Sequence, residues 1–357
     1  MKILQLNLEK GWRGGERQTL FCMREFRRHG HEVQLAARQD QALAKHAQAE
    51  GFHVHTFRKP YQLFFWLVRH AREFDIIHCQ TANSLSWAAL AKPFLKSKLV
   101  FTRRTAFPVK PEKEQRTRYK WRKVDLFISN CEAGAIEPRR LGISSIIIPS
   151  AIQSYEVNQQ RAQALKNTLP DLKDKYLIGT TSALTREKDP ITMIKAIAEL
   201  KARGLPVVFL HFGQFGDMHT ACIDAIQELN LNNEYLLLGF HQQVEDYLSL
   251  LDVFTMSSTF EALGSSVLDA FWQKVPVVST DAGGLKDILA DGRGILCAVG
   301  DSHAIAEGIE AVLSQPELRS SMCEKGYNYV KEHHLVGPMG QAYLAAFNKL
   351  LNTQASQ

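Results

Sequence analysis

The 357-residue sequence lacks the features that mark several common protein classes. None of its six cysteines forms a CxxC pair, which argues against a zinc knuckle and against a disulfide framework. The longest purely apolar run, Leu63–Val68, is far shorter than the ~20 residues needed to cross a bilayer. No internal repeat, low-complexity tract or coiled-coil heptad is visible. These absences favour a folded protein of a reducing, cytoplasmic environment.

Charge is distributed unevenly along the chain. Residues 1–150 contain 27 basic and 13 acidic residues and carry a net charge of +14, whereas the remainder carries −8. The segment Arg103–Lys123 alone holds nine basic residues against Glu112 and Glu114, with aromatic residues between them. This segment is either a solvated helix face or a platform for anionic lipid or a phosphorylated glycolipid. The basic half of the chain should therefore meet an anionic partner.

Short β-type runs alternate with helical stretches almost from end to end, which predicts parallel sheets wrapped by helices. We expect an α/β protein with two doubly wound, Rossmann-like domains, at 1–155 and 174–335, divided by the polar stretch 153–173. The strand candidates are 2–8, 32–37, 75–79, 98–102, 125–129 and 145–148, then 176–182, 207–212, 235–238, 253–256, 276–279 and 294–297.

The segment Ser257–Ala270 carries the most informative motif. It follows a predicted strand and enters an apolar helical run through the turn Gly264-Ser265-Ser266. Backbone N–H groups at a helix start bind anions, and the flanking carboxylates of Glu261 and Asp269 accept hydrogen bonds from hydroxyl groups. An anion pocket between hydroxyl acceptors suits a nucleotide sugar, although two solvated acids at a helix start would give the same spacing.

This segment resembles the signature of the retaining glycosyltransferases of family 4, which have the GT-B fold. The family pattern is a Glu, seven residues and a second Glu, and here the second acid is Asp269. The resemblance implies that Glu261 faces the hydroxyls of a donor hexose and that Asp269 faces the ribose. It also implies that the two domains face each other across a cleft, and that the last helix, at about 338–352, returns to the first domain.

Several other loops are similar to donor-side segments of the family. Ser182–Pro190 is similar to the segment Gly-Arg-Leu, three residues, Lys, whose cations neutralise the leaving diphosphate. Lys188 matches the Lys, whereas Ala183 replaces the Arg, and Arg186 is a candidate to take over its role. The further donor-binding candidates are Gly14 and Gly15, Gly213, Phe240 and His241, and Gly283, although plain tight turns would also explain the glycine pairs.

The acceptor side departs further from the family pattern. Arg104 stands where family members often carry a His, and an arginine cannot act as a base. It could instead bind an acceptor phosphate or the donor diphosphate through its bidentate fork. The resemblance implies no metal ion and no other cofactor, and the sequence shows no Asp-x-Asp motif.

The leading hypothesis is therefore a glycosyltransferase that moves a hexose from a nucleotide-diphosphate sugar to an anionic glycolipid, such as a lipopolysaccharide core. We expect it in the cytoplasm, with peripheral association at the inner membrane face. A nucleotide-sugar epimerase or hydrolase on the same fold remains open, as does a polyanion-binding module. No nucleic-acid-binding motif is present, so no nucleic-acid partner is expected.

Overall fold

The computed structural model describes residues 1–169 and 172–352, which form two compact units. Unit 1 comprises Met1–Gln153 and the segment that begins at His334, and unit 2 comprises Ser154–His333. Each unit is built around one parallel sheet, because strands joined by helical crossovers pair in parallel and carry the helices on both faces. The predicted α/β class with two doubly wound sheets is confirmed.

Unit 1 contains a seven-stranded sheet with the strand order β3-β2-β1-β4-β5-β6-β7. The strands are β1 Lys2–Asn7, β2 Glu32–Arg38, β3 His53–Phe57, β4 Ile76–Cys79, β5 Lys98–Arg103, β6 Leu126–Ser129 and β7 Ile146–Ile147. The helices that connect them are α1 Gly14–Arg28, α2 Ala42–Ala49, α3 Gln62–His70, α4 Ala82–Ala91, α5 Glu114–Trp121 and α6 Glu132–Arg140, with short 3₁₀ turns at Ala71–Glu73, Lys92–Phe94 and Pro111–Lys113.

The prediction of six strands in the first half was wrong, because it omitted β3. Strand β3 lies at the edge of the sheet and pairs only with β2 among the described strands. Its residues His53 and Thr56 are exposed and Val54 is only half-buried, so the strand lacks the continuous apolar run of a central parallel strand. Central β1 shows the contrast, since Ile3, Leu4 and Leu6 are all fully buried.

Unit 2 contains a six-stranded sheet with the strand order β10-β9-β8-β11-β12-β13. Its strands are β8 Tyr176–Thr181, β9 Val207–Phe212, β10 Tyr235–Gly239, β11 Val253–Met256, β12 Val277–Thr280 and β13 Ile295–Cys297. Its helices are α7 Gln159–Thr168, α8 Pro190–Ala202, α9 His219–Glu228, α10 Glu245–Leu248, α11 Ser265–Trp272, α12 Leu285–Leu289, α13 Ser302–Ser314 and α14 Pro316–His333, and a 3₁₀ turn spans Arg186–Lys188.

The polar stretch 153–173, predicted to divide the domains, contains helix α7. This helix belongs to unit 2, where Ala162 is buried and Arg161 forms an ion pair with Asp246 of α10. Apolar periodicity does not predict this helix, because the helix buries little beyond that one alanine. Residues 170 and 171 of the stretch lie outside the described residues.

The last helix, α15 (Val336–Asn352), packs in unit 1. Its apolar face inserts Met339, Tyr343, Leu344 and Phe347 into the core that also contains residues of β1, β2 and α1. Pro338 is tolerated because the first turn of a helix needs no backbone N–H donor at that position. Among the described helices, none combines the length and apolarity required to cross a bilayer.

We expect Phe347→Ala to lower the free energy of unfolding of unit 1 by about 3–5 kcal/mol, because a fully buried aromatic ring would leave a cavity. The ring packs edge-on against Phe26 and His78, with centroid distances of 5.6 and 5.5 Å. Urea denaturation measures the change. The exposed Phe65 of α3 supplies the control, and Phe65→Ala should shift stability by no more than about 0.5 kcal/mol. Equal effects of the two changes would contradict the placement of α15.

Candidate functional site

The site lies in unit 2, where the strand order reverses. Strands β8 and β11 are neighbours in its sheet although they are far apart in sequence, so their carboxyl ends form a topological switch point. Ligands of open α/β sheets bind outside the carboxyl ends of the strands at such a point. The loop after β8 carries Arg186 and Lys188, and the loop after β11 carries Glu261.

An ion pair joins these two loops. The Lys188 ammonium donates a hydrogen bond to the Glu261 carboxylate, and the two side chains are 23% and 16% exposed. Partial burial removes much of the solvent that would otherwise screen the two charges. The structure thus brings together the two residues to which the resemblance assigned the donor diphosphate and the donor hexose.

Hydrogen bonds to main-chain carbonyl oxygens hold the two loops together near the ion pair. The buried Ser257 hydroxyl donates to the carbonyl oxygens of Lys188 and Asp189, at 3.1 and 2.7 Å. The Thr259 amide donates to the carbonyl oxygen of Glu187 at 2.9 Å. Because these bonds involve main-chain atoms, they fix the positions of both loops and leave the Lys188 and Glu261 side chains to move.

Asp189 occupies a strained position beside Lys188. It has a left-handed backbone with φ of 43°, which a residue with a side chain rarely adopts. Its carboxylate caps α8 by accepting bonds from the Thr192 amide at 3.4 Å and the Thr192 hydroxyl at 2.6 Å. The sequence patterns predicted no role for Asp189 or Ser257. The Asp-Pro pair at the start of α8 is the signal that could have revealed the cap.

Two glycines after β12 support the Glu261 loop from the other side. A Cβ atom on Gly283 would lie 1.9 Å from the Glu261 carbonyl oxygen, and one on Gly284 would lie 1.9 Å from the Ala262 carbonyl oxygen. The Gly284 amide also donates to the Glu261 carbonyl oxygen at 3.2 Å. The backbones therefore touch directly, and Gly283 is present because no larger residue fits there.

The Gly264-Ser265-Ser266 turn forms the start of the eight-residue helix α11. Gly264 has a left-handed backbone with φ of 76°, which allows the sharp entry into the helix. The Val267 amide donates to the Gly264 carbonyl oxygen at 2.9 Å, whereas the helix provides no acceptor for the amides of Ser265 and Ser266, so these two suit an anion. Asp269 lies one turn further along and is only 5% exposed. The structure thus buries the second acid of the motif, whereas the Glu261 side chain remains partly exposed, at 16%.

The loops after β9 and β10 lie side by side. Gly213 donates its amide to the Gly239 carbonyl oxygen at 2.8 Å, and a Cβ atom on Gly213 would lie 1.8 Å from the Ser182 carbonyl oxygen. Phe240 is 47% exposed, whereas His241 packs edge-on against Tyr247 with ring centroids 5.3 Å apart. The exposed phenyl ring of Phe240 offers a flat apolar surface at this end of the sheet.

Arg186 is not brought to the ion pair by the structure. Its side chain is 85% exposed and forms its own ion pair with Asp217, at 3.5 Å. An exposed pair of this kind contributes little to stability, so the side chain is free to adopt other conformations. Its predicted role in place of the missing family Arg therefore stays a prediction.

Three of the candidates, Gly14, Gly15 and Arg104, lie in unit 1. The two glycines begin α1 immediately after the β1 loop, where Glu16 is 3% exposed. Burial raises the pKa of the Glu16 carboxyl, which accepts bonds from the Asn7 side-chain amide at 3.3 Å and the Arg13 backbone amide at 3.0 Å. This carboxyl closes the loop against the end of β1.

Arg104 follows β5 and belongs to a buried polar cluster. Its guanidinium donates to the side-chain carbonyl of Gln80, which is a neutral partner. Burial lowers the pKa of His78 well below its usual value, and the nearby positive charge of Arg104 lowers it further. His78 bonds to the Thr102 hydroxyl at 2.8 Å, and that hydroxyl lies 3.2 Å from the Tyr343 hydroxyl. In the described part of the chain, Arg104 forms no ion pair with a carboxylate, so the cluster retains a net positive charge that suits an anionic ligand.

Within residues 1–169 and 172–352, no three His, Cys, Asp or Glu side chains are grouped closely enough to hold a metal ion. The donors that the site offers to a ligand are a lysine ammonium and helix-start amides. The Glu261 carboxylate offers hydrogen-bond acceptors.

Each of the two units matches a known family model. The model for glycosyl transferases group 1 matches residues 162–329, and the model for glycosyltransferase family 4 matches residues 12–153. The chain therefore belongs to the glycosyltransferases that these two models describe. The resemblance inferred from the Glu261 motif is confirmed at the level of the family.

Curated relatives match parts of the chain. It is 30% identical over 137 residues to the lipopolysaccharide core biosynthesis glycosyltransferase LpsE of Rhizobium meliloti, a match that covers 38% of this chain and 39% of the relative. It is 26% identical over 194 residues to a Campylobacter jejuni N-acetylgalactosaminyltransferase that acts on a diphospho-undecaprenol-linked sugar, covering 50% of this chain and 52% of that protein. The chain thus spans about two-fifths to one-half of the length of these relatives.

A solved structure matches over nearly the whole chain. The crystal structure of Anabaena HepE in complex with UDP and glucose superposes with a TM-score of 0.87 at 21% identity, covering 98% of this chain and all of HepE. At this level of identity the likeness shows a shared GT-B fold.

We expect Gly283→Ala to destabilise unit 2 more than Gly300→Ala, although both glycines have positive φ. Each change strains the backbone by about 1–2 kcal/mol. Only the Gly283 Cβ atom would collide with the Glu261 loop, at an added cost of about 1–3 kcal/mol, because Gly300 faces open space. Chemical denaturation measures both variants. Indistinguishable stabilities would show that the two loops do not touch.

Proposed function

We propose that this protein is a retaining glycosyltransferase that moves a hexose-type sugar from a nucleotide-diphosphate donor to an anionic envelope glycolipid or lipopolysaccharide core. The observation that carries the proposal is the Lys188–Glu261 pair at the switch point of unit 2, beside the start of α11. A cation and helix-start amides suit a diphosphate, and a carboxylate suits sugar hydroxyls. HepE, which shares the fold, has been crystallised with UDP and with UDP-glucose.

In the proposed reaction, the bond between the anomeric carbon and the diphosphate oxygen breaks. The acceptor hydroxyl oxygen forms a new bond to the same carbon from the same face, and its proton passes to an oxygen of the leaving phosphate. Lys188 and the amides at Gly264–Ser266 stabilise the negative charge that develops on the diphosphate. Glu261 orients the hexose, and Asp269 faces the ribose.

The remaining donor candidates take roles that the family resemblance implies and that their positions allow. The backbone around Phe240 and His241 receives the nucleotide base, and Gly213 and Gly283 allow close approach of the neighbouring loops. Gly14 and Gly15 contribute amides at the start of α1. Arg186 supports the diphosphate when it leaves Asp217, and no metal ion takes part.

Arg104 serves the acceptor in this proposal. The polar cluster around it supplies neutral partners only, so an acceptor phosphate would provide the missing negative charge. A bidentate guanidinium–phosphate contact fixes orientation as well as charge. Of the two curated relatives named above, one takes part in lipopolysaccharide core biosynthesis and the other acts on a diphospho-undecaprenol-linked sugar, which supports an anionic acceptor.

The segment Arg103–Lys123 supports association with an anionic membrane surface. It includes α5, whose Lys120 donates to the Ser86 hydroxyl of α4 at 3.1 Å, and its exposed residues Arg116 and Tyr119 combine a positive charge with an aromatic ring. Arg103 itself is buried and donates to the Gly134 carbonyl oxygen, so it does not belong to this surface. Positive charges near anionic lipid contribute about 1 kcal/mol each.

Purified protein should turn over a nucleotide-diphosphate sugar rapidly only when an acceptor is present. Lys188→Ala should lower kcat by about 10²-fold, because the leaving diphosphate loses its cation. Release of nucleoside diphosphate, with a panel of donors and with lipopolysaccharide core as the acceptor, measures both effects. Equal release without acceptor would favour a hydrolase, and conversion of the donor to another nucleotide sugar without release would favour an epimerase. A fully active Glu261→Ala protein would remove Glu261 from the mechanism.

Vesicle binding tests the membrane surface separately. Replacing Lys113, Arg116 and Arg122 with serine should weaken binding to phosphatidylglycerol vesicles by about 1 kcal/mol for each charge removed. The control replaces the exposed Lys166, Lys195 and Lys325 of unit 2 and should leave binding unchanged. Cosedimentation at low salt measures both variants. An equal or larger loss in the control variant would contradict the assignment of the surface to unit 1.

A further inference from the structure

The proposed function leaves the contact between Lys188 and Glu261 unexplained. The two groups are assigned to different parts of the donor, yet in the structure they bind each other. A carboxylate accepts hydrogen bonds and donates none, so Glu261 cannot bond to a diphosphate. The same carboxylate and a diphosphate both require the Lys188 ammonium.

We propose that Glu261 competes with the donor diphosphate for Lys188, and that capture of Lys188 by the diphosphate releases Glu261 to bind the sugar. The proposal rests on the function proposed above and adds a coupling between the two halves of the donor. A lysine has three N–H donors, so it could in principle hold both anions at once. Two like charges held about 4 Å apart near a protein surface repel by about 4 kcal/mol, which disfavours that arrangement.

The surrounding backbone permits such an exchange without movement of the loops. Ser257 holds the main chain of Lys188 and Asp189, and Gly283 and Gly284 hold the main chain at Glu261. The exchange therefore requires only rotation of the Lys188 and Glu261 side chains, while the main chain of both loops stays in place. Both are partly exposed, at 23% and 16%, so each has solvent on one side into which it can turn.

Competition for Lys188 couples binding of the diphosphate to binding of the sugar. A diphosphate that takes Lys188 leaves Glu261 with its full capacity to accept bonds from hydroxyl groups, and binding of one part of the donor thus favours binding of the other. A free sugar without diphosphate meets a Glu261 that is already engaged. The pair therefore discriminates in favour of activated sugars over free ones.

The test is the affinity of the full chain for UDP, with ADP and GDP measured in parallel by isothermal titration calorimetry. We expect Glu261→Gln to bind the diphosphate roughly tenfold more tightly, the equivalent of about 1.4 kcal/mol, because Lys188 loses its internal partner and stays partly buried. Glutamine has nearly the same shape as glutamate, so folding should be preserved. Affinity for uridine, which has no phosphate, should not change.

A double-mutant cycle separates competition from simple repulsion. In a Lys188→Met background, the Glu261→Gln change should alter UDP affinity by about twofold at most, since the contested cation is gone. An equal gain in both backgrounds would mean that Glu261 repels the diphosphate through space, and would overturn the proposal. Unchanged or weaker binding by Glu261→Gln would overturn it as well.

The matched control is Glu199→Gln, which removes a carboxylate from an ion pair with Arg203 at 2.7 Å elsewhere on α8. It should leave UDP affinity unchanged, and a gain equal to that of Glu261→Gln would show a general charge effect and overturn the proposal. If the wild-type chain bound none of the three diphosphates, the proposed function itself would fail. A wild-type chain that binds UDP with no gain in Glu261→Gln would refute the competition alone.

Discussion

The candidate site depends on one constraint, which is that a lysine and a glutamate from two separate crossover loops share a partly buried contact. The sheet of unit 2 creates this constraint, because β8 and β11 are neighbours and their loops leave from the same edge. A charge pair in that position is tolerated only if the loops are held at a fixed separation. The hydrogen bonds of Ser257 and the bare backbone of Gly283 supply that separation without contributing any charge of their own.

The candidate cations of the two units, Lys188 and Arg104, have different kinds of partners. In unit 2, Lys188 pairs with the Glu261 carboxylate. In unit 1, Arg104 belongs to a cluster of an amide, an imidazole and hydroxyl groups. Burial lowers the pKa of His78 well below its usual value, so the imidazole adds no second positive charge near neutral pH. Burial also raises the pKa of Tyr343 to about 12, so its hydroxyl supplies no negative counter-charge there. A cation among neutral partners attracts an anion more strongly than a cation that is already paired.

Much of this architecture could be predicted from the sequence, for identifiable reasons. Parallel strands buried on both faces leave continuous apolar runs, such as Val207–Phe212, and the helices between them show clear apolar faces. Edge strand β3 and helix α7 could not be found in this way, because neither has an apolar run or a wide apolar face. The resemblance to the family motifs assigned donor-binding roles to Glu261 and Lys188. It could not show that they touch, since contact depends on main-chain bonds such as that of Thr259 to Glu187, which leave no mark on residue type.

The position of α15 has a consequence for how the chain reaches its native state during synthesis. Unit 1 needs Tyr343 and Phe347 to complete the core around Phe26 and His78, so this unit cannot close until those late residues have left the ribosome. Unit 2 is continuous in sequence and can close earlier. The unit that is translated first is therefore finished last, and in the interval its unfilled core would present apolar surface that invites association with chaperones.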